Sequence, residues 1–204
     1  MPLLQSWRSR PEILLMVMAG GMPLAFWAWV VLLNNFTVEV AAFTGREIGI
    51  LQSLREVPGF LSFLVVYLLL IIAEQRLALL SLFILGIGVA LTGYFPTVVG
   101  LYITTVISSI GFHYYEACNQ SLTLQWLDKK TAPEKMGQIY GVGAFSQLLI
   151  LGAIFLGYVM TLPNLSWQAL ASSTGLVTSL ESYQITYLLA GLATCGIAIA
   201  AFTV

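Results

Sequence analysis

Residues 13–33 read ILLMVMAGGMPLAFWAWVVLL, a stretch without a single charged side chain. A helix needs about 20 apolar residues to cross a bilayer, so this stretch predicts a transmembrane helix. The apolar run is too long for a signal peptide, and no small-residue cleavage site closes it. The whole chain is 59% hydrophobic and 8% charged, with a mean hydropathy of +0.92. Soluble domains carry roughly 25% charged residues, so we predict an all-α integral membrane protein.

Five further apolar stretches follow the first along the chain. The six predicted spans cover residues 13–35, 48–73, 77–95, 97–126, 138–162 and 182–204, within one membrane domain that takes up residues 1–204. Glu74, Gln75 and Arg76 are predicted to form a very tight connection between the second and third spans. Gly86 and Gly88 are predicted as points of close helix contact in the third span.

The basic residues predict the orientation of these spans. With the N-terminus in the cytoplasm, only Arg46 lies in an outer loop. The inner side then holds Arg8, Arg10, Arg76, Lys129, Lys130 and Lys135. Because cytoplasmic loops are enriched in basic residues, we expect a plasma or inner membrane protein with its N-terminus inside.

Two patterns point to an internal repeat of opposite topology, three helices plus three. The first and fourth spans both carry polar residues toward their C-terminal ends: Asn34, Asn35 and Glu39 in one, His113, Glu116, Asn119 and Gln120 in the other. The second and fifth spans begin with related triplets, residues 47–49 (EIG) and 135–137 (KMG). Repeats of this kind are typical of secondary transporters.

The chain resembles the N-terminal half of a major facilitator superfamily transporter in three features: six spans, a tight connection after the second span and a basic connection after the fourth. Residues 128–137 (DKKTAPEKMG) are similar to that family's connection between helices four and five. In the loop after the second helix, Glu74 matches the acidic position of the family motif and Arg76 stands one step off a basic one. The Gly-Pro antiporter motif of the fifth helix is absent. The resemblance implies a six-helix bundle built as a 3+3 inverted repeat, with Glu74 and Arg76 as gating-loop candidates.

Residues 111–125 (GFHYYEACNQSLTLQ) place a polar cluster inside the fourth span. His113 and Glu116 are three residues apart and so share one helix face. Counted from Pro96 at 1.5 Å per residue, Glu116 lies about 30 Å along the helix, near its inner boundary. Two interpretations stay open: a proton-coupling or substrate-binding pair that faces a cavity, with Asn119 beside it, or a satisfied polar pair near the cytoplasmic surface.

Arg55 lies within the second span, where an unpaired cation is costly. Its neighbour Glu56 points about 100° away around the helix, so we expect an acid on another helix, such as Glu39, to be its partner. The arrangement fits a substrate-anion site or outer gate, or a structural ion pair between the first two helices. Pro58 and Gly59 are expected to break the helix nearby. Asn35 is expected either to line the outer mouth of a cavity or to cap the end of the first helix.

Several protein classes are disfavoured by the residues that the sequence lacks. It has one histidine and two separate cysteines, so we expect no zinc site and no cofactor. No basic tract is present, so no nucleic-acid partner is expected. The serine motif of rhomboid proteases and the paired glutamates of prenyl-processing proteases are missing, and we expect no enzyme.

We therefore predict a secondary transporter that alternates access to a site near the middle of the bilayer and couples the movement of a small solute to protons. Few charges and many aromatic residues favour a neutral or weakly charged solute. Six helices form one wall of such a path, so the expected partner is a missing C-terminal half or a second copy of the chain. The alternative function is a six-helix scaffold or assembly protein without transport.

Overall fold

The computed structural model describes residues 11–161 and 180–203, and that part of the chain is almost entirely helical, with no β-strand. The six long helices are α1 (Pro11–Glu39), α2 (Gly45–Phe60), α3 (Glu74–Thr92), α4 (Val98–Trp126), α5 (Ala132–Thr161) and α6 (Leu180–Phe202). A 3₁₀ turn (Leu61–Leu64) and one α-helical turn (Val65–Leu68) extend α2. All six helices, α2 with its extension, are long and apolar enough to cross a membrane. The predicted all-α membrane bundle is confirmed.

The connection between α2 and α3 differs from the prediction. Glu74, Gln75 and Arg76 form the first turn of α3, and residues 69–73 make the turn that was expected at 74–76. The predicted break at Pro58 and Gly59 was also misplaced. The helix runs through both residues to Phe60 and tightens to 3₁₀ geometry only afterwards. Arg8, Arg10 and nearly all of the connection between α5 and α6 lie outside the described residues.

Local hydrogen bonds fix where α2 and α4 begin. The Glu47 carboxylate accepts hydrogen bonds from the backbone N–H of Thr44 at 2.6 Å and from its hydroxyl at 2.5 Å. The Thr97 hydroxyl accepts from the Gly100 N–H at 3.1 Å. These side chains satisfy groups at the helix ends that have no partner within the helix. The Tyr102 hydroxyl also donates to the Glu47 carbonyl at 3.2 Å, which ties the start of α2 to α4.

The most buried helix is α3, which packs against α4 on one side and α6 on the other. In addition, α1 packs against α5 and α6, α2 packs against α4, and α1 touches both α3 and α4. In the most apolar stretch of each helix, 61% of the α3 residues are buried, against 17% for α2 and 11% for α5. The core therefore lies between α1, α3, α4 and α6, while α2 and α5 flank it.

Glycines bring the central helices into close contact. A Cβ atom added to Gly88 of α3 would lie 2.6 Å from the backbone nitrogen of Ser108 on α4. One added to Gly86 would lie 2.7 Å from the carbonyl oxygen of Gly191 on α6. The predicted contact points in the third span are thus confirmed, one on each face of α3. Helices in membranes associate by this kind of close packing, because the lipid is as apolar as their side chains.

Candidate functional site

Two cavities lie along the face that α1 and α4 share, and Trp27 of α1 lines both of them. The first, here the Arg55 cavity, has a volume of about 330 Å³ and is also bordered by α2. The second, the Glu116 cavity, has a volume of about 510 Å³ and is also bordered by α5. The lining of the Arg55 cavity consists of Phe26, Trp27, Trp29, Val30, Arg55, Glu56, Leu85, Ser108, Ser109, Phe112 and His113.

The polar side of the Arg55 cavity is an ion pair between sequence neighbours. Glu56 Oε1 lies 2.6 Å from Nη2 of Arg55 and 2.9 Å from its Nε. The expectation that Glu39 pairs with Arg55 was wrong, since the Glu39 carboxylate accepts a hydrogen bond from the Tyr183 hydroxyl at 2.9 Å. The helical angle between Arg55 and Glu56 separates their Cβ atoms, but the long arginine side chain bends back across it. The Arg55 side chain is 37% exposed and that of Glu56 is 60% exposed.

Contacts between α2 and α4 hold this ion pair in place. The Ser109 hydroxyl of α4 donates a short hydrogen bond to the Arg55 backbone carbonyl. The imidazole of His113 lies directly against Gly59, where an added Cβ would stand 2.7 Å from His113 Cε1. Only a residue without a side chain leaves room for the ring there. The sequence therefore combines a proline-glycine pair on α2 with a serine and a histidine one turn apart on α4.

The other side of the Arg55 cavity is aromatic. The rings of Phe26 and Phe112 stack at a centroid distance of 4.2 Å and an angle of 11°. Phe112 also makes an edge contact with His113 at 5.1 Å, and Phe26 makes one with Trp27 at 5.8 Å. The Phe26–Phe112 stack joins α1 to α4 at the cavity. A solute in this space would meet ring surfaces on one side and two opposite charges on the other.

The Glu116 cavity is lined by one acid, several amides and aromatic side chains. The α4 side contributes Tyr115, Glu116, Asn119 and Gln120, and the α5 side contributes Tyr140 and Gln147 among others. Tyr115 is 1% exposed. Within the described residues, neither its hydroxyl nor Oδ1 of Asn119 has a hydrogen-bond partner, although both atoms are buried. Such groups normally find partners, so these two are available to a solute or to water.

The two cavities lie near the middle of the helices. At 1.5 Å per residue, Trp27 stands about 24 Å along α1 and His113 about 22 Å along α4, and each helix is about 43 Å long. Arg55 is about 15 Å from the start of α2. Glu116 is about 27 Å along α4, so it lies closer to the helix middle than the predicted inner boundary. The charged residues therefore occupy a depth where exposure to lipid would be costly.

The remaining predicted site residues line neither cavity. Glu74 accepts a hydrogen bond from Nε2 of Gln125 at 2.7 Å, which ties the start of α3 to the end of α4. Arg76 is exposed beside it, Asn35 is half-buried near the end of α1, and Glu39 bonds to α6. The structure thus brings Arg55 and His113 together in one cavity and Glu116 and Asn119 in the other.

Sequence reasoning missed several residues of the site. Glu56 was set aside as a partner of Arg55, and Ser109, Phe26 and Phe112 were not singled out. The signal for Ser109 is the pair Ser108–Ser109, two hydroxyls in the middle of an apolar span. Among the described residues, no group of three or more histidine, cysteine, aspartate or glutamate side chains is placed to hold a metal ion. Comparisons of the chain with protein-family models, curated proteins and solved structures found no match.

Proposed function

We propose that the chain forms one wall of a secondary transporter for a small solute, with alternating access and proton coupling, of the kind found in the major facilitator superfamily. The observation that carries this proposal is the pair of cavities that meet at Trp27 near the middle of the helices. The Arg55 cavity lies between α1, α2 and α4, and the Glu116 cavity extends toward the end of α4 and the start of α5. A transporter of this class needs a site near the bilayer centre that opens to either side in turn.

The spacing of the helices supports an inverted repeat of three plus three. The same interval of 87 residues separates the ends of α1 and α4 (39 to 126) and the starts of α2 and α5 (45 to 132). These two intervals agree with a repeat of three helices plus three.

The packing of the helices supports the same repeat. If α1 is exchanged with α4, α2 with α5, and α3 with α6, the α3–α4 contact becomes α1–α6 and the α2–α4 contact becomes α1–α5. All four of these contacts are present, and the α3–α6 contact maps onto itself, whereas the α1–α3 contact has no comparable counterpart between α4 and α6 among the described residues.

Individual contacts follow the exchange too. Gly88 of α3 meets the backbone of Ser108 on α4, and in the exchanged pair of helices Thr194 Oγ1 of α6 donates a hydrogen bond of 2.9 Å to the Gly21 carbonyl of α1. The bond from Gln125 to Glu74 links the end of α4 to the start of α3. The bond from Tyr183 to Glu39 links the end of α1 to the start of α6 in the same way.

In this proposal α2 and α5, the least buried helices, face a second six-helix unit, which is either a further part of the polypeptide or a second copy of it. Glu116 is the proton-coupling candidate, since it is the acid that lines its cavity among the described residues. Arg55, Glu56 and His113 belong to the solute site. The N-terminus lies in the cytoplasm, which puts the basic connection between α4 and α5 on the inner side.

Accessibility of single cysteines tests the proposal without knowledge of the solute. In a variant with Cys118 and Cys195 replaced by alanine, Val30→Cys reports on the Arg55 cavity and Gln120→Cys on the Glu116 cavity. We expect a membrane-impermeant maleimide to label Val30→Cys only from the side where α1 ends, and Gln120→Cys only from the opposite side. Leu192→Cys is the control, because Leu192 is exposed in the middle of α6 and lines neither cavity.

Alternating access also predicts that a label in one cavity changes the reactivity of a cysteine in the other. The two cavities should never be open together, so a bulky label on Val30→Cys should slow the reaction of Gln120→Cys in the double variant. A scaffold protein without a transport path would leave both cysteines as unreactive as the control at position 192.

A further inference from the structure

The Arg55 cavity combines two opposite charges with a wall of aromatic rings, and this combination narrows the class of solute. We propose that the cavity binds a small zwitterion with an aromatic or bulky apolar group, such as an α-amino acid of that kind. Its carboxylate would lie at Arg55, its ammonium group at Glu56, and its apolar part against Phe26 and Phe112. The inference rests on the proposed transport function and names its substrate class.

Charge balance near the middle of the helices favours a zwitterion over an ion of either sign. Arg55 and Glu56 neutralise each other at 2.6 Å. An anion that takes Arg55 from this pair leaves the Glu56 carboxylate without a counter-charge, and a cation that takes Glu56 does the same to Arg55. Near the middle of a membrane-spanning helix, a charge left without a counter-charge is costly. When a zwitterion binds, the pair between Arg55 and Glu56 is replaced by two pairs, one between Arg55 and the carboxylate of the solute and one between Glu56 and its ammonium group. The site then stays neutral.

The geometry of the ion pair allows this exchange. Both side chains are partly exposed, 37% for Arg55 and 60% for Glu56, so a solute can reach them. The arginine uses Nη2 and Nε toward one carboxylate oxygen of Glu56. The guanidinium has five donors in all, so it keeps free N–H groups for a second carboxylate. The second oxygen of Glu56 is likewise available to an ammonium group.

The aromatic wall accounts for the apolar part of the solute. Phe26 and Phe112 present stacked rings, and Trp27 stands beside them. The volume of about 330 Å³ is near the lower end of the usual range for ligand cavities, about 300–1,000 Å³, so the solute is small. Trp29 also lines this cavity. Its side chain is 4% exposed, and its indole N–H has no acceptor among the described residues.

Three probes that share a phenyl group and differ in the charged groups they carry test the inference. L-phenylalanine carries both charges, 3-phenylpropanoate lacks the ammonium group, and 2-phenylethylamine lacks the carboxylate. Binding to the purified full-length protein in detergent micelles is measured by isothermal titration calorimetry. We expect L-phenylalanine to bind at least about tenfold more tightly than either analogue, because each analogue loses one charge-assisted hydrogen bond and strands one charge.

Variants of Arg55 and Glu56 test whether the probe binds in the Arg55 cavity. Arg55→Gln and Glu56→Gln should each lower the affinity for L-phenylalanine by about tenfold or more. Should either single variant fail to fold, the double variant keeps the cavity neutral and should also lose binding. Arg46→Gln, which removes an exposed cation at the start of α2, is the matched control and should leave the affinity unchanged.

Two results would overturn the inference. One is equal binding of the zwitterion and of a single-charge analogue, and the other is no saturable binding of any probe. Neither result bears on the transport proposal, because the labelling of Val30→Cys and Gln120→Cys needs no solute. If that labelling alternates while the charge series fails, the chain transports a solute of another class.

Discussion

The substitution Gly111→Ala provides a sharp test of how α3 and α4 are packed. A Cβ atom at Gly111 would lie 2.7 Å from both the Leu85 Cα atom and the Ser81 carbonyl oxygen. The Leu85 backbone nitrogen would be closer still, and ordinary contact begins at 3.4 Å, so the two helices must separate by more than about 0.7 Å. These neighbours are backbone atoms and cannot rotate away. We therefore expect the upper part of the usual range for overpacking, about 2–3 kcal/mol.

The helix propensity of alanine works in the opposite direction. Alanine stabilises a helix interior by about 1 kcal/mol relative to glycine. The net expectation for Gly111→Ala is thus a loss of about 1–2 kcal/mol in the free energy of unfolding. Gly152→Ala in α5 is the matched control, because a Cβ atom there meets nothing within 4 Å. This control should leave the protein equally stable or slightly more stable.

Unfolding of both variants is followed in mixed micelles by titration with sodium dodecyl sulfate, with far-UV circular dichroism as the readout. The midpoint should move to lower detergent fraction for Gly111→Ala and should not do so for Gly152→Ala. Equal midpoints for the two variants would refute the close α3–α4 packing. They would also weaken the position of His113 and Glu116, which the same helix carries into the two cavities.

Three further substitutions test other parts of the structure. Gly59→Ala should displace the His113 imidazole, because its Cε1 atom would lie 2.7 Å from the new Cβ. The displacement should change the maleimide labelling rate of Val30→Cys, while circular dichroism should show little change in secondary structure. Ala42→Gly should raise the free energy of unfolding by up to about 1 kcal/mol, because Ala42 has a φ of 52°, in the left-handed region that favours glycine. Glu116→Gln should leave Val30→Cys labelling with only the pH dependence that comes from ionisation of the thiol itself, and an unchanged pH profile would remove Glu116 as the coupling residue.

Much of the architecture follows from the sequence, because one physical requirement dominates it. A bilayer demands long apolar helices, and the charged residues that separate them mark their ends. All six predicted spans correspond to helices in the described part of the chain. The glycine contacts of α3 were also predictable, because a glycine in an apolar helix commonly marks a place where another helix comes close.

The site was harder to predict, because it depends on where side chains reach and not on where the backbone points. A helical wheel places Arg55 and Glu56 about 100° apart, yet the arginine bends to meet its neighbour at 2.6 Å. The aromatic wall was hidden for a different reason. Phe26 and Phe112 are ordinary residues of apolar spans, and only the packing of α1 on α4 turns them into a pair.

The exposure of the ion pair bears on what must cover this face of the bundle. Arg55 and Glu56 lie near the middle of the helices, and more than a third of each side chain is exposed. If lipid covered this face, both charges would meet hydrocarbon, which membrane proteins avoid. Water in a transport path, or a second six-helix unit that encloses such water, removes this cost. Large apolar side chains are exposed on several helices, among them Phe60 at the end of α2 and Leu80 of α3, and these suit contact with lipid or with another protein. The exposed ion pair therefore argues against lipid cover at Arg55 and Glu56, which agrees with the transport path that we propose.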